Sequence, residues 1–145
     1  KLYDWSEIVY RIAHKQVSAD SILIYGKSLG TGVATRLASI RGCKRLILET
    51  PYYDLPSVAA RFLPIYPTRW LMNYEFPLHQ YLQKVRVPVL TIHGTMDEVI
   101  SIHHADKLRS LLKPSDRMIL VTDGKHNGLS KDPVVRAALD SIWNQ

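Results

Sequence analysis

The sequence predicts an α/β fold, in which a parallel sheet is flanked by helices. Short apolar runs rich in β-branched residues alternate along the chain with longer segments whose apolar residues recur every three or four positions. The short runs are typical of buried strands and the longer segments of amphipathic helices, and their alternation favours parallel pairing. We therefore expect one domain over residues 1–145, with a proline- and aromatic-rich insertion at about residues 51–84.

The first part of the chain contains two helix–strand units. Apolar residues follow helical spacing from Leu2 to Ile12, and the run Ser21 to Tyr25 is too short for a helix, which indicates a buried strand. A turn at residues 26–30 leads into a second helical pattern, Thr31 to Ile40. The second strand is predicted at Arg45 to Leu48.

The region that follows has a different composition. Between Thr50 and Val87 it contains five prolines and many aromatic residues. Prolines prevent long helices, whereas large aromatic side chains favour burial. We expect short helices at residues 57–63 and 68–74, lying over the end of the sheet. A linker would carry fewer large apolar side chains.

The last part of the chain returns to the alternating pattern. Strands are predicted at Pro88 to His93 and Arg117 to Val121. Each is followed by an amphipathic segment, Ile102 to Leu112 and Val134 to Trp143.

Composition excludes several classes of protein. The chain is 46% hydrophobic and 22% charged, which excludes a disordered tail, a collagen-like fibre and a coiled coil. No run approaches the ~18 apolar residues of a membrane span. Cys43 is the single cysteine, so no internal disulfide forms, and a role in packing is favoured over a nucleophile. We expect the cytoplasm, with peripheral association with a membrane as the alternative.

The net charge of +6 raises the question of a nucleic-acid partner. The basic residues are scattered, with no long run and no basic face on one helix, and no nucleic-acid recognition motif accompanies them. We interpret them as a solvated surface and expect no nucleic acid to bind.

Ser28 is the first candidate catalytic residue. It lies in the pentapeptide G-K-S-L-G at residues 26–30, between a predicted strand and a predicted helix. A serine nucleophile needs such a tight turn, with glycines that permit close backbone approach. The alternative is a glycine-rich turn with an incidental serine.

A serine nucleophile requires a base, and the base requires an orienting acid. Asp97 follows the strand that ends at His93, and His126 follows the strand that ends near Val121. The chain order Ser28, Asp97, His126 is the order expected in α/β-hydrolases. For the aspartate, the alternatives are a turn or helix cap, with Glu98 as the rival acid.

Other candidate sites are less well supported. His103 and His104 lack a cysteine or a suitably spaced carboxylate, so no metal site is predicted. His93 closes a strand, where a core histidine with its hydrogen bonds satisfied is favoured over a residue that supports the loop of the acid. No nucleotide-binding glycine motif is present, and we expect no cofactor.

Four stretches together are similar to a known group of proteins. They are residues 24–32, 48–52, 93–100 and 124–127. The sequence resembles α/β-hydrolases of the BEM46-like group, relatives of the mammalian α/β-hydrolase domain-containing proteins 13 and 17. The resemblance covers nearly the whole chain.

The resemblance implies a serine hydrolase that cleaves esters or thioesters, with a small-molecule or acylated substrate. By it, Ser28 is the nucleophile, Asp97 the acid and His126 the general base. The backbone amide of Leu29 would be one oxyanion donor.

The sequence departs from this group in one respect. Members have several strands before the nucleophile turn, and an early loop there supplies the second oxyanion amide. The chain therefore resembles the carboxyl-terminal part of such a fold, without its N-terminal strands. We expect the missing half to come from another segment, or the exposed sheet to pair with a second copy. One alternative is a non-catalytic or weakly active fragment of this fold that acts as a binding or self-associating module. The second alternative is a serine peptidase.

Overall fold

The computed structural model describes residues 1–62 and 76–144, and in these ranges four strands form one parallel sheet. Each strand pairs with the next along the chain, so the spatial order equals the chain order. This confirms the predicted parallel α/β architecture. The strands are β1 (Leu23–Lys27), β2 (Arg45–Glu49), β3 (Val89–Gly94) and β4 (Arg117–Val121).

Helices connect and cover these strands. The two best capped helices have a polar residue at the N-cap: Ser101 before α5 and Asp132, followed by Pro133, before α6. The described helices are α1 (Leu2–His14), α2 (Gly30–Ile40), α3 (Leu55–Phe62), α4 (Leu78–Leu82), α5 (Ile102–Arg109) and α6 (Pro133–Trp143).

The proline- and aromatic-rich region is described only in part. Helix α3 agrees with the first short helix expected there, beginning two residues earlier, where Asp54 accepts a hydrogen bond from the Ser57 N–H at 2.7 Å. The second helix, expected at residues 68–74, lies outside the described residues. Helix α4 was not predicted, because five residues after a proline show too little periodicity.

The core lies on both faces of the sheet. Leu46 and Leu48 of β2 pack on the face covered by α2, whereas Ile47 packs on the opposite face with residues of α6. All three side chains are fully buried. Burial on both faces explains why β2 reads as a continuous apolar run. Each such side chain contributes about 1.5–3 kcal/mol of transfer free energy.

Helix α1 does not bury the apolar residues that predict it. Its five periodic apolar side chains are between 46 and 66% exposed. The helix instead contacts the rest of the fold through Tyr10, whose hydroxyl donates to the Gly42 carbonyl at 2.7 Å, and through Glu7, which pairs with Arg41 at 2.6 Å. The spacing therefore predicts the helix correctly but not its buried side.

β1 lies at one edge of the described sheet. Tyr25 on this strand is 44% exposed, and its hydroxyl donates to the buried carboxylate of Glu49 on β2. Lys27 pairs with the same carboxylate at 3.0 Å. Burial, and then the contact with Glu49, raises the pKa of Tyr25 well above its usual value, so the hydroxyl remains a donor.

Within the described ranges, no helix combines the length and the apolar character needed to cross a bilayer. The longest, α1, has 13 residues, whereas a span needs about 20.

Candidate active site

Ser28 occupies a strained turn between β1 and α2. Its φ is 50°, in the left-handed region of backbone conformation that few residues other than glycine adopt. The Ser28 N–H donates to the Glu49 carbonyl at 2.9 Å. The Ser28 carbonyl accepts from both the N–H and the hydroxyl of Thr31, at 2.9 and 2.6 Å. Hydrogen bonds on both sides therefore hold the strained conformation.

The two glycines of the pentapeptide have different roles. A Cβ added at Gly26 would lie 2.6 Å from Ala34 Cβ and 2.7 Å from the Gly30 carbonyl oxygen. No side chain fits there, so the close approach of β1 and α2 requires this glycine. A Cβ at Gly30 would meet nothing within 4 Å. The expectation that both glycines serve close packing is therefore correct for the first and wrong for the second.

The structure brings together the three residues predicted from their chain order. His126 Nε2 lies 3.1 Å from Ser28 Oγ, and His126 Nδ1 lies 2.8 Å from Asp97 Oδ2. The carboxylate can only accept, so it fixes the imidazole proton on Nδ1 in the neutral ring. Nε2 is then left to accept from the Ser28 hydroxyl. The serine is partly buried, and 14% of the histidine side chain is exposed.

Asp97 is held by the backbone of its own loop. Its Oδ1 accepts from the N–H groups of Val99 and Ile100, both at 2.8 Å. The side chain is fully buried, and these donors compensate for the lost hydration. The expected turn-capping role and the contact with His126 are therefore combined in one side chain. The rival acid, Glu98, is exposed, and the cap of α5 is Ser101 instead.

His93 is placed beneath this loop, and its surroundings differ from the expectation. The side chain is fully buried, and Nε2–H donates to the Ile100 carbonyl at 2.8 Å. Nε2 also lies 3.7 Å from Asp97 Oδ2. Burial lowers the pKa of His93, which favours the neutral ring. Nδ1 has no hydrogen-bond partner among the described residues, so this core histidine is satisfied at only one nitrogen.

The loops that carry Asp97 and His126 are bonded to each other. The Met96 N–H donates to the Gly124 carbonyl at 2.9 Å, and the Asp123 N–H donates to Thr95 Oγ1 at 2.9 Å. A Cβ at Gly94 would collide with the Gly124 backbone. Gly94 thus allows the carboxyl ends of β3 and β4 to approach closely enough for the acid to reach the imidazole.

Leu29 follows Ser28 and forms the N-cap of α2. The first N–H groups of a helix lack acceptors within the helix, so the Leu29 amide is suited to an anionic oxygen on the adjacent serine's adduct. The Leu29 side chain is 47% exposed. Two apolar side chains in the loop of Asp97 are also exposed, Met96 at 58% and Val99 at 41%.

The remaining candidate nucleophile and the histidine pair do not join this site. Cys43 is buried, and burial raises the pKa of its thiol to about 11. It is therefore protonated at neutral pH and a poor nucleophile. Among the described residues no three histidine, cysteine, aspartate or glutamate side chains lie together as a metal site.

Comparison with known proteins gives relatives for most of the chain, although no family model matches it. It is 30% identical over 132 residues to the uncharacterized protein YfhR of Escherichia coli O157:H7, covering 86% of this chain and 45% of the relative. It is 40% identical over 90 residues to α/β-hydrolase domain-containing protein 17C of Mus musculus, covering 61% of this chain and 26% of the relative.

Solved structures with the same fold include a Paleococcus ferrophilus monoacylglycerol lipase. The TM-score is 0.69 at 16% identity, over 99% of this chain and 75% of the lipase chain. The esterase domain of a Rhodothermus marinus protein has a TM-score of 0.60 at 16% identity, over 83% of this chain and 57% of that domain.

The chain is also 32% identical over 111 residues to α/β-hydrolase domain-containing protein aho-3 of Caenorhabditis elegans, covering 77% of this chain and 32% of the relative. The chain belongs to the α/β-hydrolase superfamily. It spans less than half the length of YfhR, and at these identities the structural similarities show the fold alone. The four-stranded parallel sheet of this α/β-hydrolase chain agrees with a partial hydrolase fold.

Proposed function

We propose that the chain is part of a serine hydrolase that cleaves carboxylic esters or thioesters through an acyl-enzyme. The observation that carries the proposal is the hydrogen-bonded series from Ser28 Oγ to His126 at 3.1 Å and on to Asp97 at 2.8 Å. A serine hydroxyl is a weak nucleophile by itself, and this geometry provides its base and the orienting acid.

In the first half of the reaction, Ser28 Oγ forms a bond to the acyl carbonyl carbon while its proton passes to His126 Nε2. Asp97 stabilises the resulting imidazolium through the proton on Nδ1. The tetrahedral intermediate then collapses. His126 returns the proton to the departing alcohol or thiol, and the acyl group remains esterified to the serine.

In the second half, water replaces the leaving group. His126 Nε2 takes a proton from the water as its oxygen attacks the acyl carbon. The second tetrahedral intermediate breaks at the bond to Ser28 Oγ, which recovers its proton from His126. The carboxylic acid leaves, and the starting hydrogen bonds form again.

The Leu29 amide would stabilise the oxyanion in both intermediates. By the family resemblance, we expect the second donor in a loop of N-terminal strands. Loss of one such donor typically costs about 10²–10³ in rate. We therefore expect the chain alone to form the covalent adduct slowly.

The residue that follows the proposed nucleophile favours an apolar acyl group. Leu29 is bonded directly to Ser28 in the chain, and its side chain is 47% exposed. Apolar surface beside the reacting atoms would bind an acyl chain by removing it from water.

A fluorophosphonate probe tests the proposal, because it reacts covalently only with an activated serine. The folded chain should be labelled, and Ser28→Ala should abolish the labelling. Ser130→Ala is the matched control, since Ser130 is exposed and outside the site. A well-folded chain that is not labelled at all would overturn the proposal and favour a binding module.

A further inference from the structure

A cavity of about 350 Å³ lies between α3 and α5, apart from the serine site. Every described side chain that lines it can donate a hydrogen bond, and none of these is acidic. The described lining residues are Ser57, Arg61, Ser101, His103, His104 and Lys107. This set of donors is suited to a ligand rich in acceptor oxygens.

His104 gives the cavity a neutral donor. The residue is only 8% exposed, and its Nδ1 accepts from the Tyr53 N–H at 3.1 Å. Burial, and then the charge of Lys107, lowers the pKa of His104 to about 4. The ring is therefore neutral at pH 7 and carries its proton on Nε2. Nε2–H is therefore available as a neutral donor in the lining of the cavity.

Two full positive charges line opposite sides of the cavity. Arg61 belongs to α3 and Lys107 to α5, and neither forms an ion pair with a described carboxylate. The Lys107 ammonium instead lies 5.6 Å above the Tyr53 ring. Two like charges facing one space repel each other, and a bound anion would remove that repulsion.

We propose that this cavity binds a phosphate group, either as free phosphate or at the end of a phosphate monoester. Arg61 presents a planar fork that pairs with two phosphate oxygens, and Lys107 neutralises the second charge. The neutral His104 donor and the two serine hydroxyls supply the remaining hydrogen bonds. The proposal does not depend on the hydrolase activity.

The experiment is an NMR titration of the full chain at low ionic strength, with inorganic phosphate in one arm and glycerol 3-phosphate in the other. Saturable shifts should be confined to the backbone amides of residues 57–61 and 101–107. Tighter binding in the second arm would identify an ester as the ligand, and tighter binding in the first would identify free phosphate.

Matched variants separate this site from the general attraction of a basic chain. The double variant Arg61→Gln with Lys107→Gln should weaken phosphate binding at least tenfold. His104→Asn, which retains an acceptor for the Tyr53 N–H, should weaken it several-fold.

The control, Lys84→Gln with Arg86→Gln, removes the same charge from exposed positions just before β3, and it should change the affinity less than twofold. Equal weakening by this control, or shifts that do not saturate, would overturn the proposal.

Discussion

Ser28, the proposed nucleophile, has a strained backbone, and the two glycines beside it are under different steric constraints. At Gly26 an added methyl group would overlap Ala34 and the Gly30 carbonyl, whereas at Gly30 it would meet open space. The pentapeptide was recognisable from the sequence, because turn residues stood between a strand and a helix. Which glycine is sterically required depends on the distance between α2 and β1 at each of the two positions. That distance is set by tertiary packing and cannot be derived from the local sequence.

A pair of alanine substitutions tests this difference. Gly26→Ala should lower the free energy of unfolding by about 1–3 kcal/mol, the usual cost of overpacking. Gly30→Ala should be neutral or stabilising by up to about 1 kcal/mol, because alanine is the better helix former. Chemical denaturation of both variants provides the measurement, and equal destabilisation would contradict the close-approach argument.

At the scale of elements, the ends of β3 and β4 carry Asp97 and His126, the proposed acid and base. Their proximity could be predicted, because both residues follow strands whose carboxyl ends meet at one edge. A position of His93 beside the acid loop was only the less favoured alternative, because its hydrogen bond to Ile100 spans a loop whose path is set by tertiary contacts. The spacing of apolar residues likewise predicted α1 but not that Tyr10 lies on its buried side.

We infer that His93 positions the loop that holds Asp97, since its Nε2–H donates to the Ile100 carbonyl. His93→Leu removes the donor to the Ile100 carbonyl, and we expect the rate of fluorophosphonate labelling to fall about tenfold. This corresponds to a loss of roughly 1.4 kcal/mol, within the range for a buried hydrogen bond.

His93→Gln places an amide N–H near the lost donor and should restore most of the labelling rate. If leucine and glutamine variants are equally slow while both remain folded, the hydrogen bond to Ile100 is not what positions Asp97.

For the whole molecule, the two buried histidines make the free energy of unfolding depend on pH. Burial lowers the pKa of both His93 and His104 below the unfolded value of about 6.5. At pH values between the folded-state and unfolded-state pKa of a histidine, the unfolded chain binds more protons than the folded chain. The contribution of that histidine to the free energy of unfolding is therefore fully present above pH 6.5 and is lost as the pH falls.

We expect the free energy of unfolding to decrease from pH 7 towards pH 4, with a slope of up to about 1.4 kcal/mol per pH unit for each histidine. Denaturant unfolding at several pH values measures the slope. His104→Asn should reduce it, and a slope unchanged in that variant would show that His104 is not the group that titrates.

The inert thiol of Cys43 has a practical consequence for experiments on this chain. At pH 8 a group with a pKa of about 11 is almost wholly protonated, and burial also shields it from reagents. Iodoacetamide should therefore leave the native chain unmodified, as intact-mass measurement would show. A cysteine introduced at an exposed position such as Ser130 would then be the single reactive thiol. A spectroscopic reporter could be attached to it without first replacing Cys43.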